Sequence, residues 1–146
     1  MKTLIIYKSY HKMNTEKIAK VMAQEMNANL AKVEDVKPAD LEKYDLIGFG
    51  SGIYAKEFHK KIYKLIEKMP CITKDVFIFS TSADPKMKHQ IKEKLSKIDC
   101  KVIGEFNCSG EFSPLRFNIA HKGHPDEKDL ESARVFAKGL LNLKNS

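Results

Sequence analysis

Residues 3–26 read TLIIYKSYHKMNTEKIAKVMAQEM, and the period of the apolar residues changes in the middle of that stretch. Thr3–Tyr7 is a short apolar run, the pattern of a strand buried on both faces of a parallel sheet. From Thr15 to Met26, the residues Ile18, Val21, Met22 and Met26 recur at helical spacing, which predicts an amphipathic helix. The link Ser9-Tyr10-His11-Lys12-Met13-Asn14-Thr15 is then the turn by which a buried strand feeds a helix.

Outward from this unit the same alternation continues. Leu46–Ser51 (LIGFGS) and Val76–Ser80 (VFIFS) are two more apolar runs. Asn29–Val33 (NLAKV) and Lys101–Asn107 (KVIGEFN) mix polar with apolar residues, as strands at a sheet edge do. Helices are predicted over Glu57–Met69, with Phe58, Ile62, Leu65 and Ile66 aligned, and over Pro85–Ile98, with Met87, Ile91, Leu95 and Ile98 aligned. A last helix, Asp126–Leu143, follows Pro125 and aligns Leu130, Ala133, Ala137, Leu140 and Leu141. Between Asp35 and Glu42 a loop with one helical turn is expected. Strand–helix alternation of this kind predicts an α/β fold: a three-layer, doubly wound, five-stranded parallel sheet. With the mixed strands second and fifth, at the edges, the expected order is 2-1-3-4-5, in one domain covering residues 1–146.

Composition narrows the classes. The chain has 146 residues, 42% hydrophobic and 31% charged, in the range of globular proteins. No apolar run approaches the roughly 18 residues of a membrane span, and the opening Met-Lys-Thr-Leu-Ile-Ile-Tyr lacks a signal-peptide pattern. A cytoplasmic location with no membrane association is expected. Cys71, Cys100 and Cys108 form no CxxC pair and read as free thiols, Cys108 lying where a ligand-facing loop is expected. The net charge of +7 is almost wholly lysine, since Arg116 and Arg134 are the only arginines. The lysines are spread along the chain without a recognition motif, so no nucleic-acid partner is expected. Steering toward an acidic protein partner is the milder reading of the same charge.

The topology nominates a site. In an open sheet of this order the connections leaving strands 1 and 3 diverge and leave a crevice, here between Lys8–Asn14 and Ser51–Lys56. The first connection runs straight into a helix, whose start offers free N–H groups and the positive end of a dipole, suited to a phosphate. Ser9, Asn14 and Thr15 add short hydrogen-bonding side chains, and His11 or Lys12 adds charge. Capping of the helix by Asn14 or Thr15 is the plain structural alternative.

The pattern SxHxxNT directly after the first apolar strand, carried by Ser9, His11, Asn14 and Thr15, resembles the phosphate loop of the flavodoxin family. The resemblance extends along the chain. Ser51-Gly52-Ile53-Tyr54 follows the third strand as the second flavin loop does, and Ser80-Thr81-Ser82 follows the fourth. Residues 123–130 (GHPDEKDL) resemble the start of the last helix in short members. It implies FMN as cofactor, with its phosphate on Ser9–Thr15 (Tyr10, Lys12 and Met13 completing the loop) and its ring reaching Ser51, Gly52, Ile53 and Tyr54. Tyr54 is the expected stacking residue. Gly52 is the residue whose peptide can flip as flavin N5 gains a proton, there being no Cβ to oppose it. Thr81, Ser82 and Ala83 are expected to offer backbone donors to the pyrimidine edge, with Asp84 near that edge and Phe112 as a further wall. Met13 replaces a small residue common in relatives, and the basic charge is opposite to that of well-known flavodoxins.

The implied function is an electron carrier, shuttling low-potential electrons between redox partner proteins, with acidic docking surfaces on them as the milder reading of the lysine charge, and acting as a monomer. The alternative is an FMN-dependent NAD(P)H- or quinone-type reductase acting on a small acceptor. No acid, base or nucleophile suggests itself as catalytic. A CxxxxxR phosphatase loop is ruled out, since Arg116 is eight residues beyond Cys108. A phosphoacceptor domain wants acidic residues after the first strand, where Tyr7-Lys8-Ser9 has none. His121 and His124 alone make a weak metal pair, and no metal is expected.

Overall fold

A computed structural model of the chain describes residues 1–9, 14–54, 57–70, 72–81, 90–108 and 125–145, with Tyr54 described by its backbone. In chain order the elements are β1 (Thr3–Lys8), α1 (Asn14–Met26), β2 (Asn29–Lys32), β3 (Leu46–Tyr54), β4 (Glu57–Phe58), α2 (Lys60–Lys68), β5 (Asp75–Thr81), α3 (Ile91–Ser96), β6 (Lys101–Cys108) and α4 (Glu127–Asn145). Two tight 3-10 turns, Val33–Asp35 and Pro38–Lys43, fill the connection from β2 to β3.

Five strands pair in parallel in the order β2-β1-β3-β5-β6. With the two-residue β4 set aside, this is the expected 2-1-3-4-5 order. The burial follows from the sequence pattern. Along β1, Leu4 and Ile6 join one core with Ile62 and Leu65 of α2 and Leu95 of α3. Ile5 and Tyr7 join the other, with Ile18 and Met22 of α1 and Ala133 and Ala137 of α4. Both faces of the strand are buried because successive side chains point to opposite sides. Ile5 and Ile6 are each fully buried, worth roughly 1.5–3 kcal/mol apiece. The outer strands β2 and β6 are mostly half-buried, as edge positions require.

The α1/α4 face depends on glycines. A Cβ at Gly48 would lie 2.2 Å from Phe77 Cζ, and one at Gly50 would lie 2.0 Å from Phe79 Cζ. The two rings, 6.2 Å apart and roughly parallel, occupy the space that side chains on β3 would fill. Beyond them, Gly104 on β6 gives room to Leu140 and Phe136 of α4. The register of β5 with β6 slips between Val76 and Phe77, leaving Ile103 as an extra residue. α4 begins with a reciprocal cap: Asp126 N–H donates to Asp129 Oδ2 (2.9 Å) and Asp129 N–H to Asp126 Oδ1 (3.0 Å).

Some boundaries differ from the sequence expectation. The helix expected from Glu57 starts at Lys60, because Glu57 and Phe58 pair antiparallel with Tyr54 and Ile53 and His59 Nδ1 caps the helix by accepting from Lys61 N–H at 3.0 Å. β3 accordingly runs on through residues expected to be a loop. In the helix expected over Pro85–Ile98 the described part is Ile91–Ser96, residues 85–89 lying outside the described set. Among the described residues, no helix is long and apolar enough to cross a membrane.

Gly50→Ala is expected to lower stability by roughly 1–3 kcal/mol through overpacking against Phe79, read as a lower urea midpoint. Adding Phe79→Leu should restore part of that loss, whereas Phe79→Leu alone destabilises. An unchanged midpoint for Gly50→Ala would contradict the ring-over-glycine packing.

Candidate functional site

β1 connects to α1 on one face of the sheet and β3 leads to α2 on the other, so the chain diverges between them at the C-terminal ends of the strands. There the strands change from apolar to polar residues. Ser51, Ser80 and Thr81 are all buried, each at the end of a run that is otherwise hydrophobic.

Three connections meet at Thr81. Its hydroxyl is 2.9 Å from that of Thr15 in the first turn of α1, and its backbone is in register with Gly52 of β3. One of the two threonine hydroxyls donates to the other, so the acceptor keeps its own O–H for a third group. Ser9 Oγ accepts from Glu16 N–H at 3.4 Å, which also leaves its O–H free to donate. Asn14 is only 8% exposed, and its Oδ1 has no hydrogen-bond partner. A buried amide with an unpaired atom is uncommon, and leaving one unpaired costs about 1–3 kcal/mol.

The second wall is held from behind. Ser51 Oγ donates to the Gly52 carbonyl and accepts from His59 N–H (3.0 Å). Glu57 Oε1 accepts from the Tyr63 hydroxyl and from Gln90 N–H (3.0 Å), tying the β3–β4 hairpin to α2 and to the start of α3.

The structure thus brings together Ser9, Asn14, Thr15, Ser51, Gly52, Ile53 and Thr81. Ser51, Gly52 and Ile53 are strand residues of β3 where a loop was expected, because the hairpin with β4 prolongs the ladder. Thr81 likewise ends β5. Cys108 ends β6 opposite Thr81 and is buried, so it faces the core where a ligand-facing loop was expected. Tyr10, His11, Lys12, Met13, Ser82, Ala83, Asp84 and Phe112, with Cys71, Arg116, His121 and His124, lie outside the described residues, as does the side chain of Tyr54. Among the described residues, no group of acidic, histidine or cysteine side chains is placed to hold a metal.

A family model described as the flavodoxin domain matches residues 4–123. The chain belongs to the flavodoxin family. It is 43% identical over 148 aligned residues to an uncharacterized protein of Methanocaldococcus jannaschii, covering 97% of this chain and 99% of that one. Its fold is similar to oxidised flavodoxin 2 of Bacillus cereus (TM-score 0.73, 20% identity, 97% of this chain and 99% of that one). It is also similar to a Lactobacillus acidophilus flavoprotein solved in complex with FMN (TM-score 0.61, 22% identity, 73% of this chain and 92% of that one).

The surroundings of this flavodoxin crevice were less legible in the sequence. A cleft of about 270 Å³ beside it is lined by Tyr7, Lys8, Ser9, Glu16, Lys32 and Glu34. In it the Tyr7 hydroxyl donates to Glu16 Oε1 at 2.5 Å, and burial together with that bond pushes the phenol well above its ordinary range. Lys8 pairs with Glu34, and Lys61 reaches the same carboxylate at 3.0 Å. The Lys8 bond, reinforced by Lys61, holds the Glu34 carboxyl down at about 2. His59 is buried and is shifted below its usual value by burial first and then by the charges of Lys8, Lys61 and Lys60. Burial pushes the Cys108 thiol up to about 12, which keeps it protonated and unreactive at neutral pH.

The Glu34 shift sets a pH dependence. A carboxyl whose folded value lies below its unfolded value stabilises the fold above about pH 4.5, and that contribution fades as pH falls toward 2. Glu34 is about a third exposed, so solvent screening limits the clasp to about 1 kcal/mol or less. The stability difference between wild type and Glu34→Gln should therefore be largest near neutral pH and shrink between pH 5 and 2. A constant difference in urea melts across that window would contradict the clasp.

Proposed function

We propose that this flavodoxin-family chain binds FMN in the crevice at Ser9–Thr15, Ser51–Tyr54 and Thr81, and carries electrons between redox proteins. The observation that supports it most directly is the buried Asn14 Oδ1, without a hydrogen-bond partner, beside Thr15 at the start of α1. That arrangement is wasteful in a closed core and useful where a ligand arrives to complete it.

The residues present fit a phosphate monoester. Ser9 offers a spare O–H, the Thr15–Thr81 pair leaves one more, and the first turn of α1 supplies backbone N–H groups and the positive dipole end. In an amide the oxygen and nitrogen assignment is a matter of orientation, so Asn14 suits either a phosphate oxygen or a sugar hydroxyl. On the other wall, Gly52 would lie against the ring, with Ser51 and His59 holding its backbone in place. When bound, FMN supplies the one- and two-electron redox chemistry, while the protein positions it and tunes its electrostatics. The carrier reading is favoured by size: this chain and Bacillus cereus flavodoxin 2 cover one another almost completely.

Titration of the purified chain with FMN and with riboflavin, followed by absorbance, tests the placement. Asn14→Asp and Thr15→Val should weaken FMN by about tenfold or more, and riboflavin much less, because only FMN carries the phosphate. Equal losses for the two ligands would move the phosphate elsewhere, and no binding of either would remove the flavin reading. Photoreduction of the loaded protein separates carrier from reductase. Two well-resolved one-electron steps support the carrier, whereas rapid oxidation of NADH or NADPH without another protein supports the reductase.

A further inference from the structure

We propose that a lysine-rimmed groove between α2 and the turn at Val33–Pro38 is the docking surface for an acidic protein partner. This rests on the electron-carrier reading, because a carrier needs a partner surface close to its cofactor. The groove has a volume of about 230 Å³ and an apolar floor of Val33, Val36, Pro38 and Leu65. Lys61, Lys64 and Lys68 of α2 form its rim, spaced so that they share one side of the helix.

The charge placement in the first turn of α2 works against the helix, while Lys68 in its last turn suits the dipole. Lys60 and Lys61 occupy its first turn, which contains no acidic residue, although the positive dipole end there disfavours cations. Lys60, Lys64 and Lys68 follow at intervals of four, the spacing at which like charges repel. Glu34 relieves Lys61 and Lys8. Among the described residues, Lys60, Lys64 and Lys68 meet no carboxylate, and all three are exposed. Among the residues lining the groove, Lys61, Lys64 and Lys68 stand against the one carboxylate of Glu34, so the rim is net positive. A surface that disregards local helix electrostatics without a compensating contact is explained by a partner that supplies the missing charge.

Position and floor narrow the partner. α2 starts immediately after the β3–β4 hairpin, so Lys60 and Lys61 stand at the same end of the sheet as the FMN crevice. A second copy of this chain is disfavoured, because each carries a charge of +7. The aliphatic floor, with no arginine or aromatic residue lining it, suits an apolar side chain set among carboxylates on a protein. A polynucleotide would call for stacking residues and arginine.

The test uses the full FMN-loaded chain, isotope-labelled for NMR and titrated at about 20 mM salt, where screening is weak. The probe is an acidic plant-type [2Fe–2S] ferredoxin. Shifts should map to α2 and the Val33–Pro38 turn. Lys60→Glu/Lys64→Glu/Lys68→Glu should weaken binding about tenfold or more, with the difference closing as salt is raised. Lys43→Glu/Lys101→Glu/Lys138→Glu, exposed and away from the groove, should lose no more than about threefold. Equal losses in the two triples, shifts confined to another face, or no binding by wild type would each overturn the proposal. So would a DNA duplex that binds the same residues and displaces the ferredoxin. FMN affinity should be the same in both triples and wild type. A chain that takes up no FMN defeats the carrier reading, while the same titration of the flavin-free chain still reports on the groove.

Discussion

The rings of Phe77 and Phe79 lie where side chains at positions 48 and 50 would otherwise stand. Much of the α1/α4 side follows from that exclusion. Phe77 and Phe79 reach across the neighbouring strand and share one core with Ile18 and Met22 of α1 and Ala137 of α4. The short alanines of α4 and the missing side chain at Gly104 let that helix settle onto the same layer. With α1 seated on this surface, its first turn reaches the end of β5, where the Thr15 and Thr81 hydroxyls meet at 2.9 Å. The crevice geometry is thus a consequence of packing two strands below it, in a close-packed interior that transmits such constraints.

The polar residues at the strand ends have to be read against that dry core. Burying a hydroxyl or amide without a partner is costly, and most are satisfied: Ser51 by Gly52 and His59, Ser80 by Asn107, Thr81 by Thr15. The unsatisfied buried side-chain atoms among the described residues, Asn14 Oδ1 and Asn107 Oδ1, both belong to residues at the C-terminal end of the sheet or the helix start beside it. Stability alone would favour apolar residues there. Both stand at the one end where the chain diverges, the end at which the proposed ligand would bind.

The strands were legible because a parallel sheet covered on both faces has to be written as apolar runs, and TLIIY, LIGFGS and VFIFS have few other readings. The edge strands were legible for the complementary reason, that one open side admits polar residues. The β3–β4 hairpin was not legible. Phe58 fits the helical spacing of Ile62, Leu65 and Ile66 as well as it fits a strand. What decides between them is Glu57, whose partners Tyr63 and Gln90 are set by tertiary structure. The Thr15–Thr81 contact spans 66 residues and left no local trace, so the sequence nominated both residues for a ligand without showing that they touch. Alternate glycines at 48 and 50 facing alternate phenylalanines at 77 and 79 were a usable signal of rings packed over bare backbone. The Lys8–Glu34–Lys61 clasp offered none, since its members belong to three separate elements.

Glu16 poses the sharpest conflict at the site. A carboxylate in the first turn stabilises a helix by facing its positive end, yet the phosphate site proposed at this helix start needs that potential for the ligand. The Tyr7 hydroxyl resolves the conflict by binding Glu16 from β1, with Lys20 3.7 Å from the other carboxylate oxygen. The negative charge is thereby fixed over β1, in the cleft bordered by Lys8 and Lys32. Ser9 Oγ takes the Glu16 N–H from the loop side, so the residue is anchored by backbone and side chain at once. Tyr7 packs in the core beneath α1 and α4 and turns its hydroxyl to Glu16. A single phenol, buried on its ring and bonded at its tip, joins the core that shapes the sheet to the electrostatics of the helix start at its edge.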